Sequence, residues 1–256
     1  MLQVGVAGLS GRMGQALWDA AALRGDCQIV CGIAMPGTKL PSGCEVPCTD
    51  DPQSLTVIPR VFVDFSRPEC TLRLLPWCVE RKVGLVIGTT GFTPEQHAQI
   101  ESAAAQIPLV MAANFSVGVN ILLSLVKKTA AVMDAADIEI VEAHHRHKVD
   151  APSGTALSLG RAAAAGRGAD FDEVAVLSRE GIVGERKAGS IGFAAVRGGD
   201  IVGEHNVMFC AEGERVELKH VATSRLTFAG GALRAAQFVA EQKPGLYSFA
   251  AVLGLE

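Results

Sequence analysis

Positive charge is in deficit in this chain: Lys and Arg number 23 against 27 Asp and Glu, a formal net charge of −4 at pH 7. No global field therefore draws it to nucleic acid or to an anionic membrane, and any anion site has to be built locally. The expected partner is a small soluble ligand, with no nucleic acid and no membrane. Aromatic residues are few, at 5%, whereas 28 glycines and an apolar fraction of 49% describe an α/β protein rich in Ala, Val and tight turns. A disulfide framework is missing too. The seven cysteines are odd in number and scattered, and the start MLQVGVAG has neither the basic nor the apolar region of a signal peptide. This reads as a cytoplasmic protein in a reducing compartment. Cys27 with Cys31 and Cys44 with Cys48 are each separated by three residues, and the first pair falls in a strand pattern, so idle thiols are expected and no metal. One charge-free run, Ile107 to Val126, matches the roughly 20 residues that cross a bilayer. Pro108, Asn114, Ser116, Gly118 and Asn120 interrupt it, so it parses as a strand, a polar turn and the start of a helix.

What is present is an alternation of apolar runs and helical patterns, in a chain of 256 residues long enough to bury one large core or two modest ones without staples. Strands are expected at Gln3 to Ala7, Gln28 to Ile33, Val61 to Phe65, Leu85 to Ile87 and Leu109 to Met111. Helices are expected from Gly11 to Leu23 and from near Pro68 and Thr93. Continuous apolar runs mark strands covered on both faces, hence a doubly wound parallel sheet of the Rossmann type. After a helix over Val117 to Val132 the strands lengthen: Ile138 to His144, Ser190 to Arg197, Ile201 to Cys210 and Arg215 to Ala222. Only the helix Thr155 to Arg167 interrupts them. Alternation of polar and apolar residues from Arg215 to Val221 predicts a second α+β domain whose open mixed sheet leaves one face to solvent or to a partner. A last amphipathic helix, Gly231 to Gln242, is expected to return to the first domain. The division is 1–115 plus 226–256 for dinucleotide binding and 116–225 for substrate binding and oligomerisation.

Gly8-Leu-Ser-Gly11-Arg-Met-Gly14 closes the first strand and opens the first helix. Gly8 permits the tight turn, Gly11 lets the backbone approach a pyrophosphate and Gly14 lets the helix pack closely, while the helix N-terminus offers amides to phosphates. The second strand ends in Gly32-Ile-Ala34-Met35-Pro36, with no carboxylate for the ribose hydroxyls. A 2′-phosphate is then not repelled, and Arg12 or Lys39 could approach it, so NADPH is at least as plausible as NADH. Gly88-Thr-Thr-Gly91 and Ala112-Ala-Asn-Phe115 fall at the same carboxyl edge of the sheet, where small residues and amides suit a flat nicotinamide.

Glu142-Ala-His144-His145-Arg146-His147-Lys148-Val-Asp150-Ala-Pro-Ser153-Gly154-Thr155 holds half of the six histidines. It follows a strand and ends at a helix start that Ser153 or Thr155 can cap. Three histidines, Arg146 and Lys148 beside free helix amides form an anion receptor within an acidic chain, fit for a substrate with carboxylates. Histidine delivers a proton near neutral pH and lysine adds a fixed charge. A zinc site on His144, His145 and His147 is disfavoured, because adjacent residues at a strand end point in opposite directions.

Together with Asp64-Phe-Ser-Arg-Pro68, Ala112-Ala-Asn-Phe-Ser-Val-Gly118 and Gly198-Gly-Asp-Ile-Val-Gly-Glu-His205, these motifs closely resemble the bacterial dihydrodipicolinate reductase family over nearly the whole chain. The resemblance implies NAD(P)H-dependent reduction of 4-hydroxy-tetrahydrodipicolinate, with loss of water, in lysine and diaminopimelate synthesis. It implies that Gly8, Leu9, Ser10, Gly11, Arg12, Met13, Gly88, Thr89, Thr90, Ala112, Ala113, Asn114 and Phe115 hold NADH or NADPH. His144 is implied as proton donor, Lys148 as its partner in the acid step, and His145, Gly154 and Thr155 as substrate contacts. It further implies hydride addition to C4 of a conjugated imine, domain closure, and a homotetramer built on the open sheet face. Where the family often has an acidic residue after the second strand, this chain has Ala34 and Met35. Arg225 reads equally as a hinge, a substrate contact or a surface residue. Another two-domain dehydrogenase of aspartate-derived metabolism remains an alternative, although no cysteine sits in the motif a semialdehyde enzyme needs. So does a non-catalytic dinucleotide sensor, which would need no acid.

Overall fold

The computed structural model describes residues 1–255. In chain order its first elements are β1 (Leu2–Ala7), α1 (Arg12–Arg24), β2 (Cys27–Ile33), β3 (Cys48–Thr49), β4 (Val61–Asp64), α2 (Pro68–Arg81), β5 (Gly84–Ile87), α3 (Pro94–Ala104) and β6 (Pro108–Met111). There follow α4 (Val117–Val132), β7 (Asp137–His144), α5 (Gly154–Gly166), α6 (Phe171–Val174), β8 (Ala175–Val176), β9 (Ile191–Arg197), β10 (Gly203–Ala211) and β11 (Glu214–Ala222). The chain ends in α7 (Leu226–Glu241), β12 (Gly245–Tyr247) and α8 (Phe249–Leu253). Two compact units divide it: Met1–Val117 with the segment from Arg225 onward, and Gly118–Ser224.

The first unit is a seven-stranded sheet in the order β12-β6-β5-β4-β1-β2-β3, parallel throughout. Successive strand residues go to opposite faces. Val61 and Val63 join a cluster with α1, α7 and α8, whereas Phe62 joins α2 and α3 and meets Trp77 edge-on at 5.6 Å. Both faces are thus buried, which is why these strands are apolar without alternation. The strand order reverses at β1, between β2 and β4, and the crevice at such a switch point is where ligands bind in open α/β sheets.

At this edge the last residue of β4, Asp64, is 0% exposed and meets no cation among the described residues. Its carboxylate accepts hydrogen bonds from the Ser66 amide (2.9 Å) and hydroxyl (2.5 Å), the Thr71 hydroxyl (2.5 Å) and the Thr89 hydroxyl (3.2 Å). Burial pushes its pKa up, against those four donors. One buried side chain therefore pins the loops after β4 and β5 together.

The second unit is a five-stranded mixed sheet in the order β11-β10-β7-β9-β8, with β10 antiparallel to both neighbours. α4 and α5 cover one face, burying Leu122, Val126, Leu159, Ile138, Ile140 and Phe209. On the other face Val196 and Val221 remain 49% and 46% exposed. Expectation and structure differ in three places. A second short helix, α6, capped by Asp170 accepting from the Asp172 amide, stands among the strands beside β8. The last helix starts at Leu226, ahead of Gly231, because that glycine sits inside α7, where a Cβ would collide with the Phe115 carbonyl. The two- and three-residue strands β3 and β12 carry no pattern of their own and are recruited by the sheet edges.

Candidate active site

The glycine-rich turn follows β1. Gly8 adopts φ +82°, where a side chain is strained, and a Cβ on Gly14 would collide with the carbonyls of Gly8 and Leu9. The first turn of α1 thus lies directly on the loop, presenting its amides at the switch point. Gly8, Ser10 and Gly11 line a 440 Å³ cavity with Ala34, Met35, Phe65 and Ser66. Its charged lining is Asp50, Glu69, Arg67 and Arg73. Arg12 and Lys39, expected near a 2′-phosphate, do not line it: both stand exposed, Arg12 opening α1 and Lys39 on the turn after β2.

The cavity, glycine turn and helix N-terminus fit a dinucleotide, yet not every residue expected to hold one can offer a side chain. Leu9 and Phe115 are 0% and 1% exposed and pack in the core, so only their backbones can meet a ligand. Met13 also packs against that core. Thr89 is spent on Asp64, whereas Gly88, Thr90, Ala112, Ala113 and Asn114 are at least partly accessible. The Asn114 side chain accepts from the Ser116 amide at 2.8 Å and shapes its own turn.

In the second unit, β-sheet register assembles the site. Glu142 and His144 are two apart on β7 and so share a face. His144 lies opposite Arg197 on β9, and Glu142 opposite His205 on β10. Ser153 caps α5, its hydroxyl accepting from the Ala156 amide at 3.2 Å and meeting His205 Nε2 at 3.1 Å. The capping role falls to Ser153, and Thr155 lies inside the helix. His144 Nδ1 stands 2.6 Å from Glu142 Oε2. Because a carboxylate only accepts, Nδ1 carries the proton and Nε2 is the reactive nitrogen. Nε2 lies beside Gly203, where a Cβ would approach it to 3.1 Å, so any other residue there would crowd that nitrogen.

Burial holds His144 below the ordinary imidazole pKa, opposed by Glu142 and reinforced by Lys148 and Arg197. Lys148 does not hydrogen-bond to His144. Its ammonium grips both oxygens of Asp150, at 2.8 and 2.9 Å. The His145 ring lies 6.1 Å from that of His147, and its Nδ1 is buried with no hydrogen-bond partner among the described residues. Gly154 opens α5 and is exposed. The histidines do not cluster as metal ligands: among the described residues no group of three metal-binding side chains converges. Arg197 and His205 were assigned no role by sequence reasoning, and Glu142 was noted only as part of its motif. The strand spacing Glu142-x-His144 was the available signal for the last.

A parallel dinucleotide-binding sheet joined in one chain to a unit carrying a histidine–lysine anion loop defines a two-domain nicotinamide-dependent oxidoreductase. The family models described as dihydrodipicolinate reductase N-terminus and C-terminus match residues 2–115 and 118–253. The 4-hydroxy-tetrahydrodipicolinate reductase of Thiobacillus denitrificans is 50% identical over 265 residues, covering 100% of this chain and 99% of its own. That of Nitrosospira multiformis is 48% identical over 264 residues, covering 99% and 98%. The dipicolinate-bound dihydrodipicolinate reductase of Paenisporosarcina sp. TG-14 superposes with a TM-score of 0.80 at 27% identity, over 97% of each chain. This chain belongs to the dihydrodipicolinate reductase family.

His205 generates a pH prediction. Burial pushes its pKa down to about 4, so it is neutral when folded, while the unfolded chain protonates it from its ordinary 6.5. A base depressed on folding supports stability above its unfolded pKa and withdraws that support as pH falls toward the folded one. Urea unfolding should therefore show a loss of roughly 3 kcal/mol between about pH 6.5 and 4 that His205→Gln largely removes. Equal acid sensitivity in both proteins would contradict it.

Proposed function

We propose that this chain reduces 4-hydroxy-tetrahydrodipicolinate to tetrahydrodipicolinate, with loss of water, in lysine and diaminopimelate synthesis. The observation that carries this reading is His144, the last residue of β7, fixed with Nδ1 toward Glu142 and followed by a loop that ends at a capped helix N-terminus. A ring dicarboxylate suits this loop. One carboxylate is met by the α5 N-terminus at Gly154 and Thr155, the other by His145. The nicotinamide, when bound, supplies a hydride to C4 of the dehydrated ring. His144 Nε2 delivers a proton to the electron-rich system this leaves, and Lys148 offers positive charge beside it. Its ion pair with Asp150 is partly exposed and worth no more than about 1 kcal/mol, so a dianionic ligand outcompetes it. Gly8, Ser10, Gly11 and the first turn of α1 hold the dinucleotide phosphates. The domain reading is that residues 1–115 with 226–256 carry the cofactor and 116–225 the substrate.

Oxidation of NADPH and, separately, NADH by the purified protein, with substrate made in place by the preceding synthase, tests this. We expect turnover to fall by roughly a hundredfold or more in His144→Ala. A folded protein that binds dinucleotide yet turns over with neither cofactor leaves the sensor reading in front.

For the cofactor we retain use of both forms with a lean to NADPH, because the cavity beside Ala34 and Met35 carries Arg67 and Arg73 as well as Asp50. Asp50 stands in for the missing carboxylate. β3 pairs with β2 through Ile33 and Thr49, so Asp50 follows on the neighbouring strand, level with Ala34. Asp50→Ala should raise the ratio of NADPH to NADH affinity by about tenfold, the value of one charge-assisted contact. A ratio unchanged in direct binding titrations would show that Asp50 does not meet the ribose.

The seven thiols, all free, suit a reducing cytoplasm. The open face of the second sheet, where Val196 and Val221 are exposed beside Val141 and Met208, suits a homotetramer. Sedimentation should give four chains per particle, and Val196→Asp with Met208→Arg should give fewer. A monomeric wild type would reject this assembly.

A further inference from the structure

The Glu142 carboxylate is costly where it stands. Its side chain is 0% exposed, on the face of β7 whose earlier positions are the core residues Ile138 and Ile140. It is saturated by four donors. Arg197 closes a two-pronged pair at 2.7 Å to each oxygen, the Ser153 amide donates to Oε1 at 3.1 Å, and His144 Nδ1 meets Oε2 at 2.6 Å. Arg197 also donates to the Asp150 carbonyl at 2.6 Å. A buried ion pair that served only packing could be exchanged for apolar side chains with little loss. Here both members also hold the loop that follows the proposed acid, Glu142 through the Ser153 amide and Arg197 through the Asp150 carbonyl.

We propose that Glu142 and Arg197 are positioning residues that set the acid strength of His144: Glu142 fixes the Nδ1–H tautomer and favours the imidazolium, and Arg197 opposes it by holding the same carboxylate. This deepens the reading of His144 as proton donor and rests on it. In the transfer step the Nε2–H bond breaks and the substrate takes the proton, leaving a neutral imidazole whose Nδ1–H still donates to Glu142, which stays ionised. A carboxylate held too freely would keep the proton on His144, whereas one absent would leave the imidazolium without support when the substrate is bound. The opposing guanidinium sets the intermediate strength.

The groups facing His144 are Glu142 on its own strand, Arg197 on β9, His205 on β10 with ring centres 5.1 Å apart, and Lys148 on the loop. His205 is held neutral by burial, so the ionised neighbours are one carboxylate and two cations. Hydrogen bonds from Arg197 and His144 outweigh burial and keep Glu142 ionised, below the ordinary carboxylate value.

Two variants of the full-length enzyme pull in opposite directions. In Glu142→Gln the pH above which kcat falls should drop by about one pH unit or more, with kcat at neutral pH down roughly tenfold to a hundredfold. At a pH high enough that His144 is neutral in both proteins, with and without ligand, dipicolinate affinity should change by less than about threefold, because no Glu142 oxygen is free to meet the ligand. In Arg197→Met the same limb should move up. Proton NMR of His144 in isotope-labelled protein should show its titration moving likewise, a readout independent of turnover. Glu142→Asp should recover part of the wild-type profile. The proposal is overturned if both variants move the limb the same way, or if Glu142→Gln lowers kcat with the His144 titration unmoved. If Arg197→Met does not fold, Arg197→Lys, which keeps the cation but loses the fork, should still move the limb upward, and a downward or absent shift counts against the proposal. Full turnover in His144→Ala would reject the donor reading, while the titration of His144 in Glu142→Gln would still decide the tautomer clamp.

Discussion

A carboxylate withdrawn from water must be met by donors or by a proton, and each unit of this protein organises its working edge around one such group. Asp64 ends β4 and Glu142 lies near the end of β7, both effectively without solvent contact. The two are satisfied differently. Asp64 is met by hydroxyls and an amide, and its pKa rises. Glu142 is met by a guanidinium and an imidazole, and its pKa falls. Hydroxyl donors cannot repay the desolvation of a full charge, whereas a forked Arg pair largely can. Asp64 is thereby suited to tying two loops together, and Glu142 to placing a stable negative charge beside a histidine.

The chain's weak overall charge gives these local arrangements their weight. A protein of net charge −4 attracts no anion at a distance, so a site for the proposed dianionic ligand has to gather amides, imidazoles and lysine locally. β-sheet register does the gathering. It sets Arg197 and His205 against His144 and Glu142, while α5 contributes its N-terminus through the Ser153 cap. In the first unit the strand reversal at β1 opens the crevice and the glycines let helix α1 approach it.

Much of this was legible in the sequence because it depends on neighbours along the chain. Gly8 and Gly14 declare a turn and a close approach, apolar runs declare a sheet buried on both faces, and the span from Glu142 to Thr155 declares a strand end, a loop and a helix start. What was not legible depends on partners distant in sequence. The Thr71 and Thr89 bonds to Asp64 span 7 and 25 residues, and the Arg197 bonds to Glu142 span 55. For the cavity at the switch point the sequence points to Arg12, inside the glycine motif, and Lys39, just past the end of the second strand, whereas the fold brings Arg67 and Arg73. Short edge strands such as β3 escape notice for the same reason, yet β3 is what delivers Asp50.

If His144 is the acid, as proposed, it rests neutral in the free protein and needs a reason to become charged, and the proposed substrate class supplies it. Burial, Arg197 and Lys148 all depress His144, and Glu142 alone supports the imidazolium. On that reading two incoming carboxylates reverse the balance, since they add negative charge and compete with Asp150 for Lys148. Proton uptake by His144 is then linked to binding: the complex forms more tightly as pH falls toward the free-protein pKa, and the acid is armed only when something is present to receive the proton. The same linkage explains how a histidine can serve as donor while resting below its ordinary value, and why the carboxylate that supports it has to be buried, ionised and held by a cation of its own.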